Sequence, residues 1–172
     1  MEKIDYTDVQ ILTLLQRNGR MKRNDIAEKV GLSVPSVSER MRKLEDRGVI
    51  KGYHAVLDAK RINMDITAYI RVTVDGSAHY KSFIDQAVKL PEIQEIHSIT
   101  GDGSHILKIR TKNTTTLEQL LSRIQSWPNV HGTSSSVVLS SYKETRELPV
   151  EPMGLPMNFD DDNWPVRRAN GF

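Results

Sequence analysis

The chain has 172 residues, enough for one or two small domains, with 24 Lys+Arg against 22 Asp+Glu and a formal net charge of +2. It contains no cysteine, which excludes disulfide bonds, thiolate metal ligands and cysteine nucleophiles. The charge is unevenly distributed: residues 1–61 carry 13 basic and 9 acidic side chains, whereas residues 62–145 carry 8 of each. An anionic partner is therefore expected at the N-terminal third of the chain.

Two further features of the sequence concern cellular location. Residues 1–5 are charged and lack the apolar run of a signal peptide. No stretch approaches the roughly 18 consecutive apolar residues that a membrane-spanning helix requires. We therefore predict a cytoplasmic protein without a membrane partner.

Residues 1–50 contain three helical patterns in close succession. The first is predicted to begin after Asp5, a good N-cap, and to end at Asn18-Gly19. The second is short and is predicted to end at Gly31. A very tight turn from Gly31 to Ser33 then leads into the third helix.

The third helical pattern runs from Ser33 to about Arg47. Because Pro35 has no N–H, the Ser33 hydroxyl is predicted to cap the N–H of Ser36. Three apolar residues share one face at helical spacing and are predicted to pack inward: Val37, Met41 and Leu44. A helix, a tight glycine turn and a second helix with a polar, basic outer face predict a helix-turn-helix.

The outer face of this third helix carries the residues that we expect to contact DNA. A major groove, about 12 Å wide, admits an α-helix, and Ser36 and Arg42 are placed to reach base edges. Phosphates are the expected partners of Arg40, Lys43, Arg47 and Lys51. The complete predicted contact set is Ser33, Pro35, Ser36, Ser38, Glu39, Arg40, Arg42, Lys43, Arg47 and Lys51. The alternative is a merely solvated face, because many exposed helices carry serine and arginine.

Residues 66–145 contain an internal repeat with an offset of 37 residues. The offset maps one helical stripe onto another, namely Tyr80, Phe83, Ile84 and Ala87 onto Leu117, Leu120, Leu121 and Ile124. It also maps Leu90-Pro91 onto Trp127-Pro128. Each unit is therefore predicted to read strand, helix, proline, strand.

The repeat predicts four strands and two helices. The strands are expected at residues 66–75, 92–100, 105–111 and about 129–142. Two such units give a βαββαβ arrangement, so the fold class is α+β, with a three-helix helix-turn-helix domain followed by a ferredoxin-like domain. The two helices cover one face of the sheet, and a second copy of the chain is the simplest cover for the other.

The loop that joins the two repeats is a candidate ligand site. Gly101 and Gly103 let backbone N–H groups approach a ligand closely. Thr100, Asp102 and Ser104 offer hydroxyls and a carboxylate, which suit the carboxylate and ammonium of a zwitterion. The alternative is an ordinary hairpin turn, for which Asp-Gly is a strong signal.

The fourth predicted strand is unusually rich in hydroxyl groups over residues 133–136. Thr133 and Ser135 are the candidates there for lining a polar ligand pocket. The alternative is a solvated sheet face.

Signals for catalysis or metal binding are weak. The five histidines show no metal-ligand spacing, and no nucleophile–base arrangement or pair of catalytic carboxylates stands out. We therefore predict no metal, no cofactor and no catalytic residues, in a protein that is not an enzyme.

The sequence resembles the Lrp/AsnC family of transcription regulators over residues 1 to about 145. The motifs that carry this resemblance are Asp5-x6-Leu12, Asn18-Gly19-Arg20, Val30-Gly31-Leu32-Ser33, Val37-x-x-Arg40-Met41-x-x-Leu44-Glu45-x-x-Gly48-x-Ile50 and Lys51-Gly52-Tyr53. These motifs lie close together over residues 5–53 and occur in the same order as in the family.

The resemblance implies a helix-turn-helix joined by a strand hinge, here about Lys51 to Asp58, to a domain that dimerises, often forms octamers and binds amino acids at subunit interfaces. The expected divisions are a DNA-binding domain (1–50), a strand hinge or linker (51–61) and a ligand-binding and oligomerisation domain (62–145). Residues 146–172 depart from the family and are predicted to form a Pro-rich extended C-terminal arm, with disorder as the alternative. The family's loop commonly reads Gly-x-x-Asp. Ser104 therefore stands where an acid that pairs with an effector's ammonium is expected.

We predict a homo-oligomeric, sequence-specific DNA-binding transcription regulator, dimeric or octameric, with double-stranded DNA and an amino-acid effector as partners. The rival hypothesis is a small-molecule sensor whose helical domain mediates protein contacts. That rival would show no DNA affinity at physiological salt and no decrease of affinity with added salt.

Overall fold

The computed structural model describes residues 3–151 of the chain. The described residues divide into two compact units, one comprising residues 3–55 with 145–151 and the other Val56–Glu144. Most of the predicted C-terminal arm, from residue 152 onward, lies outside the described residues.

The first unit is built from three helices, α1 (Tyr6–Arg17), α2 (Arg23–Val30) and α3 (Val34–Asp46). Asp5 is the N-cap of α1, as predicted, and forms a capping box in which its side chain accepts from the Asp8 N–H at 2.8 Å. The helices enclose a small apolar core of Ile11, Leu15, Ile26, Ala27, Val37 and Met41. The predicted three-helix arrangement is confirmed.

The turn between α2 and α3 has the predicted geometry. Gly31 adopts a left-handed conformation (φ +69°), which glycine accommodates without a steric cost. The Ser33 hydroxyl accepts the N–H of Ser36 at 3.3 Å, and Pro35 occupies the first turn of α3. The predicted N-cap of the third helix is therefore confirmed.

The described start of the C-terminal arm packs on α1. The Gln16 side chain accepts the N–H of Leu148 at 2.7 Å and donates to its carbonyl at 2.9 Å. Arg17 lies 3.3 Å from the Glu147 carboxylate. These contacts attach residues 145–151 to the helical unit.

The predicted strand hinge at Lys51–Asp58 is wrong for the single chain. The structure assigns no strand to residues 51–59, and a short 3-10 turn follows at Lys60–Ile62. A strand requires a hydrogen-bonded neighbour, and no described strand of this chain pairs with the segment. Val56 is left 97% exposed and Leu57 67% exposed.

The second unit is a four-stranded sheet with two helices. Its elements are β1 (Ile66–Val74), α4 (Tyr80–Ala87), β2 (Ile93–Ser98), β3 (His105–Thr111), α5 (Thr114–Gln125) and β4 (Val130–Val137). The strand order is β2-β3-β1-β4, and every neighbouring pair is antiparallel. The predicted ferredoxin-like βαββαβ fold is confirmed.

The observed ends of β3 and β4 can be compared with their predicted bounds. The strand β3 has the predicted bounds, whereas β4 ends at Val137 and not near residue 142. Val137 is the register partner of Ala68, and β1 begins two residues before Ala68, at Ile66. Beyond this pair, the Val138 N–H still donates to the Thr67 carbonyl at 2.9 Å, but β4 itself ends at Val137.

One face of the sheet packs against α4 and α5. Ile70 and Leu107, which the 37-residue repeat relates, are register partners and fully buried. The buried residues of this core are Ala68, Ile70, Val72, Val74, Phe83, Ala87, Leu90, Leu107, Ile109, Leu117, Leu120 and Ile124. The predicted helical stripes supply Phe83 and Ala87 from α4 and Leu117, Leu120 and Ile124 from α5.

The opposite sheet face is polar. Tyr69 on β1 stands opposite Lys108 on β3, and side chains directly opposite each other share a face. Lys108 and Arg110 both pair with Glu144, at 3.0 and 2.9 Å, and Lys108 also lies 3.4 Å from Glu95. This surface, which we call the open sheet face, is covered by no helix of its own unit.

Candidate nucleic-acid interface and ligand loop

The rotation of α3 is fixed by three buried side chains. Val37, Met41 and Leu44 are 0%, 6% and 1% exposed, as predicted. Helical geometry then places a ridge of Ser36, Glu39, Arg42 and Lys43 on the solvent side, and all four are exposed. We call these four residues the α3 ridge.

The remaining predicted DNA contacts surround this ridge. Ser33 and Pro35 are exposed at the N-terminus of α3, and Ser38 is half-buried on its flank. Arg47 follows the last helical residue and Lys51 lies four residues further on, both exposed. The ridge is therefore bordered by an exposed hydroxyl at the N-terminal end of α3 and by two exposed cations beyond its C-terminal end.

Arg42 is held by two carboxylates of its own helix. Its guanidinium donates to both Glu39 oxygens, at 2.8 and 3.1 Å, and to Asp46 at 2.6 Å. The hydrogen bond from Arg42 lowers the pKa of Glu39, which stays ionised. Any other acceptor that meets the Arg42 guanidinium therefore competes with these two carboxylates.

Arg40, which we predicted to meet a phosphate, bridges α3 to α1. One of its nitrogens, Nη1, lies 2.7 Å from Asp5 Oδ2 and 2.7 Å from Asp8 Oδ1. The Asp8 side chain is only 10% exposed. Although burial raises the pKa of Asp5, hydrogen bonds from the Asp8 N–H and from Arg40 lower it overall. Arg40 thus positions α3 on α1.

One contact between α3 and the segment that follows it was not predicted from the sequence. The Tyr53 hydroxyl donates to Glu45 Oε1 at 2.9 Å. Burial, the hydrogen bond and the charge of Glu45 raise the pKa of Tyr53 to about 12. Tyr53 lies in the Lys51-Gly52-Tyr53 motif, but nothing in the local pattern names Glu45 as its partner.

In the candidate ligand loop, the two glycines have different surroundings. Gly101 (φ +90°) and Asp102 are exposed at the tip, and so is Thr100. Gly103 (φ +87°) lies against β1, where an added Cβ would sit 3.2 Å from the Val72 carbonyl oxygen. The tip is therefore open to a ligand, while Gly103 lets the loop approach the strand.

Ser104 anchors the loop to β1. Its N–H donates to the Val72 carbonyl at 2.9 Å, and its hydroxyl accepts the N–H of Val74 at 3.0 Å. The hydroxyl also lies 2.9 Å from His105 Nδ1. Ser104 therefore binds its own chain at the position where the family pattern places an acid.

The hydroxyls of β4 lie across β1 from this loop. Thr133 is the register partner of Val72, to which Ser104 is bonded, whereas Ser135 pairs with Ile70. Thr133 accepts a hydrogen bond from Gln125 Nε2 at 2.7 Å, and Ser135 is exposed. The structure thus brings Thr133 near the loop and places Ser135 one pleat further away.

His105 is fully buried next to Ser104. Its ring lies 4.7 Å from that of Tyr80 and 4.9 Å from that of Phe83, and Nε2 has no hydrogen-bond partner. Burial lowers the pKa of this histidine, which is therefore neutral near pH 7. Within residues 3–151, no group of three or more His, Asp or Glu side chains is placed to hold a metal ion.

Comparisons with protein families agree with this division of the chain. Residues 4–51 match a winged helix-turn-helix DNA-binding model, and residues 67–148 match the Lrp/AsnC ligand-binding domain. Among the helices that the structure describes, none is long and apolar enough to cross a membrane.

Curated relatives match almost from end to end. The transcriptional regulator FL11 of Pyrococcus horikoshii is 37% identical, over 86% of this chain and 97% of its own length. The leucine-responsive regulatory protein of Haemophilus influenzae is 34% identical, over 84% of this chain and 89% of its own.

Solved structures agree as well. A transcriptional regulator of Neisseria meningitidis, solved as an L-Met complex, superimposes with a TM-score of 0.81 at 31% identity, covering 84% of this chain and 96% of that one. A feast or famine regulatory protein of M. tuberculosis complexed with L-methionine has a TM-score of 0.79 at 28% identity, covering 84% and 98%.

A helix-turn-helix followed by a ferredoxin-like ligand-binding domain defines a class of transcription regulators in which one polypeptide carries both the DNA-binding and the ligand-binding domain. The hypothesis of such a regulator, made from the sequence, is confirmed. Within that class, the chain belongs to the Lrp/AsnC family.

Proposed function

We propose that the protein is a homo-oligomeric, sequence-specific regulator that reads DNA with the α3 ridge and responds to an amino acid bound at the ligand loop. The burial of Val37, Met41 and Leu44 is the observation that carries the first part. It leaves the α3 ridge exposed on a helix that has the dimensions of a major-groove reader. Such a regulator works in the compartment that holds the DNA. In prokaryotic cells, such as those of the relatives named above, that compartment is the cytoplasm.

Arg42→Ala tests the proposed orientation of α3. We expect it to weaken binding to a selected DNA site in a mobility-shift assay, with oligomer size unchanged in sedimentation. Arg123→Ala is the matched control, because it removes the same charge from an exposed position on α5. Undiminished affinity of Arg42→Ala would show that a different face of the helical unit meets DNA.

Exposed apolar side chains support assembly of several copies. Leu139 and Tyr142, beyond the end of β4, are 95% and 98% exposed, and Val56 in the linker is 97% exposed. Large apolar side chains that are almost fully exposed can form a surface that another chain covers. A two-fold dimer would present its α3 helices to major grooves about 34–36 Å apart, or a multiple of that.

The assembly is tested by sedimentation of the full chain. We expect a dimer or a multiple of dimers, and we expect Tyr142→Ser with Leu139→Ser to shift the distribution toward smaller species. A monomer at all concentrations would contradict the proposed oligomer.

For the effector, the exposed loop tip supports a zwitterion site. The Asp102 carboxylate is free to meet an ammonium group, and the backbone at Gly101 is open to a carboxylate. Two structural neighbours hold L-methionine, which makes it the first probe to test here. The ligand would shift the balance between assembly states that differ in affinity for it.

Asp102→Asn tests this site, with Asp85→Asn as the control because Asp85 is an exposed carboxylate on α4. We expect L-methionine or L-leucine to change the DNA affinity of the wild type and of Asp85→Asn. We expect Asp102→Asn to bind DNA but to lose that response. A normal response of Asp102→Asn would place the effector elsewhere.

A further inference from the structure

A fully buried histidine stands directly behind the ligand loop. Among residues 3–151 three polar residues are buried, and His105, the first residue of β3, is the one with no exposure at all. Its Nε2 atom has no hydrogen-bond partner, and an unsatisfied buried group in a folded protein calls for an explanation. The explanation lies at the other ring nitrogen, Nδ1.

Nδ1 of His105 contacts the Ser104 hydroxyl, whose oxygen has three polar neighbours. The Val74 N–H lies at 3.0 Å, the Val72 carbonyl oxygen at 3.1 Å and His105 Nδ1 at 2.9 Å. A hydroxyl has one proton with which to donate and two lone pairs with which to accept. All three contacts can therefore be hydrogen bonds at the same time for only one placement of the protons.

That placement fixes the tautomer of His105. A carbonyl oxygen can only accept, so the hydroxyl proton of Ser104 goes to Val72. One lone pair of the hydroxyl takes the Val74 N–H, and the other takes a proton that must come from His105 Nδ1. Nε2 of the neutral ring is then bare. The opposite tautomer would leave a buried Nε2–H without an acceptor and would give the single hydroxyl proton two acceptors.

The surroundings of the ring do not accommodate a second proton. On α4, the rings of Tyr80 and Phe83 lie 4.7 and 4.9 Å away, and Tyr80 is the titratable one of the two. The register partners on β1 and β2 are Val72 and Ser98, neither of which is ionisable. Burial is the cause that lowers the pKa of His105, and no charged side chain of residues 3–151 offsets it. A proton added at Nε2 would be buried without an acceptor, which favours a conformation that opens the site.

Ser104 is the residue that attaches the loop to β1. Its N–H donates to the Val72 carbonyl at 2.9 Å, and its own carbonyl accepts the Ile99 N–H at 3.0 Å. Asp102 and Gly101 at the exposed tip lie two and three residues before it. The position of the tip therefore depends on how firmly Ser104 is held.

We propose that His105 is a positioning residue for the ligand loop: its Nδ1–H donates to the Ser104 hydroxyl and fixes the rotamer that clamps the loop on β1. The inference rests on the proposed effector role of the loop. Because the clamped form excludes a second proton from the ring, acidification favours the open loop. The clamp is complete above the ordinary histidine pKa of 6.5 and is lost as the pH falls below it, and effector affinity is expected to fall with it.

Nitrogen-15 NMR of the full chain with labelled histidine tests the tautomer in the wild type. The His105 resonances are identified by their absence from the spectrum of His105→Asn. At pH 8 we expect Nδ1 to carry the proton and Nε2 to be bare. A proton on Nε2 would overturn the assignment, because His105 would then accept from Ser104 and could not hold the hydroxyl on Val72.

Hydrogen exchange at the Val74 N–H measures the clamp, because this amide donates to the Ser104 hydroxyl. In the wild type we expect its protection factor to be about five- to tenfold lower at pH 5.5 than at pH 8, since pH 5.5 lies one unit below the ordinary histidine pKa of 6.5. His79→Asn, the same substitution as His105→Asn but at an exposed histidine, is the control and should follow the wild type.

Two substitutions of His105 separate the hydrogen bond from the packing. The side-chain amide of His105→Asn can donate from the place of Nδ1 but does not titrate, so protection of the Val74 N–H should be kept at both pH values. His105→Phe keeps a ring but has no donor, so protection should be low at both. Equal protection in His105→Phe and the wild type at pH 8 would overturn the positioning role.

Isothermal titration with L-methionine distinguishes the positioning role from the proposed effector function. We expect His105→Phe to bind L-methionine more weakly than the wild type at pH 8, and His105→Asn to restore the affinity and to remove its decrease at pH 5.5. Asp102→Asn is expected to lose L-methionine binding while the Val74 N–H stays protected. If the wild type binds no L-methionine, the proposed effector function is contradicted, and the NMR and exchange results still decide whether His105 holds the loop. If L-methionine binds equally well to the wild type and to His105→Phe, the positioning role is overturned.

Discussion

The ion pair between Arg40 and two carboxylates of α1 leads to a quantitative prediction for Asp8→Ala. The Asp8 side chain is 10% exposed and accepts from Arg40 at 2.7 Å and from the Asp5 N–H at 3.3 Å. The substitution removes both hydrogen bonds. It leaves Arg40 with Asp5 as its remaining partner, at 2.7 Å.

The expected cost lies between two limits. Removing one partner of a fully buried pair costs about 3–5 kcal/mol, whereas an exposed pair contributes about 0–1 kcal/mol. Arg40 is 33% exposed and keeps one partner, so we expect the lost pair to cost about 2 kcal/mol. The lost capping bond of α1 adds about 0.5–1 kcal/mol. The free energy of unfolding of the helical unit should therefore fall by about 2–3 kcal/mol.

Urea unfolding of the full chain, followed by far-ultraviolet circular dichroism, measures this effect. Asp8→Asn keeps a neutral acceptor and should lose about half as much stability as Asp8→Ala. Glu28→Ala, an exposed carboxylate on α2, is the control and should stay within about 0.5 kcal/mol of the wild type. If Asp8→Ala is as stable as Glu28→Ala, the bridge from α3 to α1 contributes nothing and the reasoning is refuted.

Three further predictions concern strain and titration. Gly103→Ala should cost about 1 kcal/mol more than Gly101→Ala in thermal unfolding. The two glycines have nearly the same positive φ, +87° and +90°, but of the two only Gly103 would bring its Cβ against the Val72 carbonyl oxygen, at 3.2 Å, and equal costs would contradict this. The pKa of His105 lies below its usual 6.5, so on acidification the unfolded chain binds a proton here before the folded chain does, and the free energy of unfolding falls as the pH drops below about 6.5. His105→Phe should remove that part of the pH dependence, and an unchanged pH profile would argue against it. The pKa of Asp5 is lowered from its usual 3.8, so its contribution to the free energy of unfolding is present above that pH and is lost as the pH falls further. Asp5→Asn should make the free energy of unfolding depend less on pH in that range, and the same dependence in the variant and the wild type would count against the assignment.

Local chemistry made the helices and the sheet predictable. The Ser33 cap and the Gly31 turn depend on residues within three positions of each other, so their geometry follows from the residue types alone. The 37-residue repeat placed Ile70 and Leu107 in equivalent strands, and the sheet pairs them directly. The first signal is local capping chemistry, and the second is periodicity, which indicates the face on which a side chain lies.

Periodicity does not record what a side chain meets on that face. Arg40 lies on the flank of α3, as its position predicts, but its partners are 35 and 32 residues away in α1. The roles of Ser104 and His105 are hidden for the same reason. The first bonds to Val72 and Val74 across the sheet, and the second is enclosed by aromatic rings of α4. Such pairings depend on how elements pack together, which one sequence does not display.

The electrostatics of α3 bear on how the regulator divides affinity from specificity. Within Val34–Asp46 three basic residues face three acidic ones, and Arg42 is paired with Glu39 and Asp46. The helix that we propose to enter the groove is therefore close to neutral, and the positive surplus of the N-terminal third comes from residues outside it. Phosphate contacts set the slope of affinity against salt, whereas base contacts set sequence preference.

This division has a measurable consequence. Lys51→Ala, outside α3, should lower affinity for all sequences and reduce the salt slope by about 1, as loss of a phosphate contact does. Arg42→Ala should instead relax the preference for one base while changing the slope little, because its charge is already offset by Glu39 and Asp46. If Arg42→Ala changes the salt slope as much as Lys51→Ala does, Arg42 meets a phosphate, and the α3 ridge reads bases through other side chains.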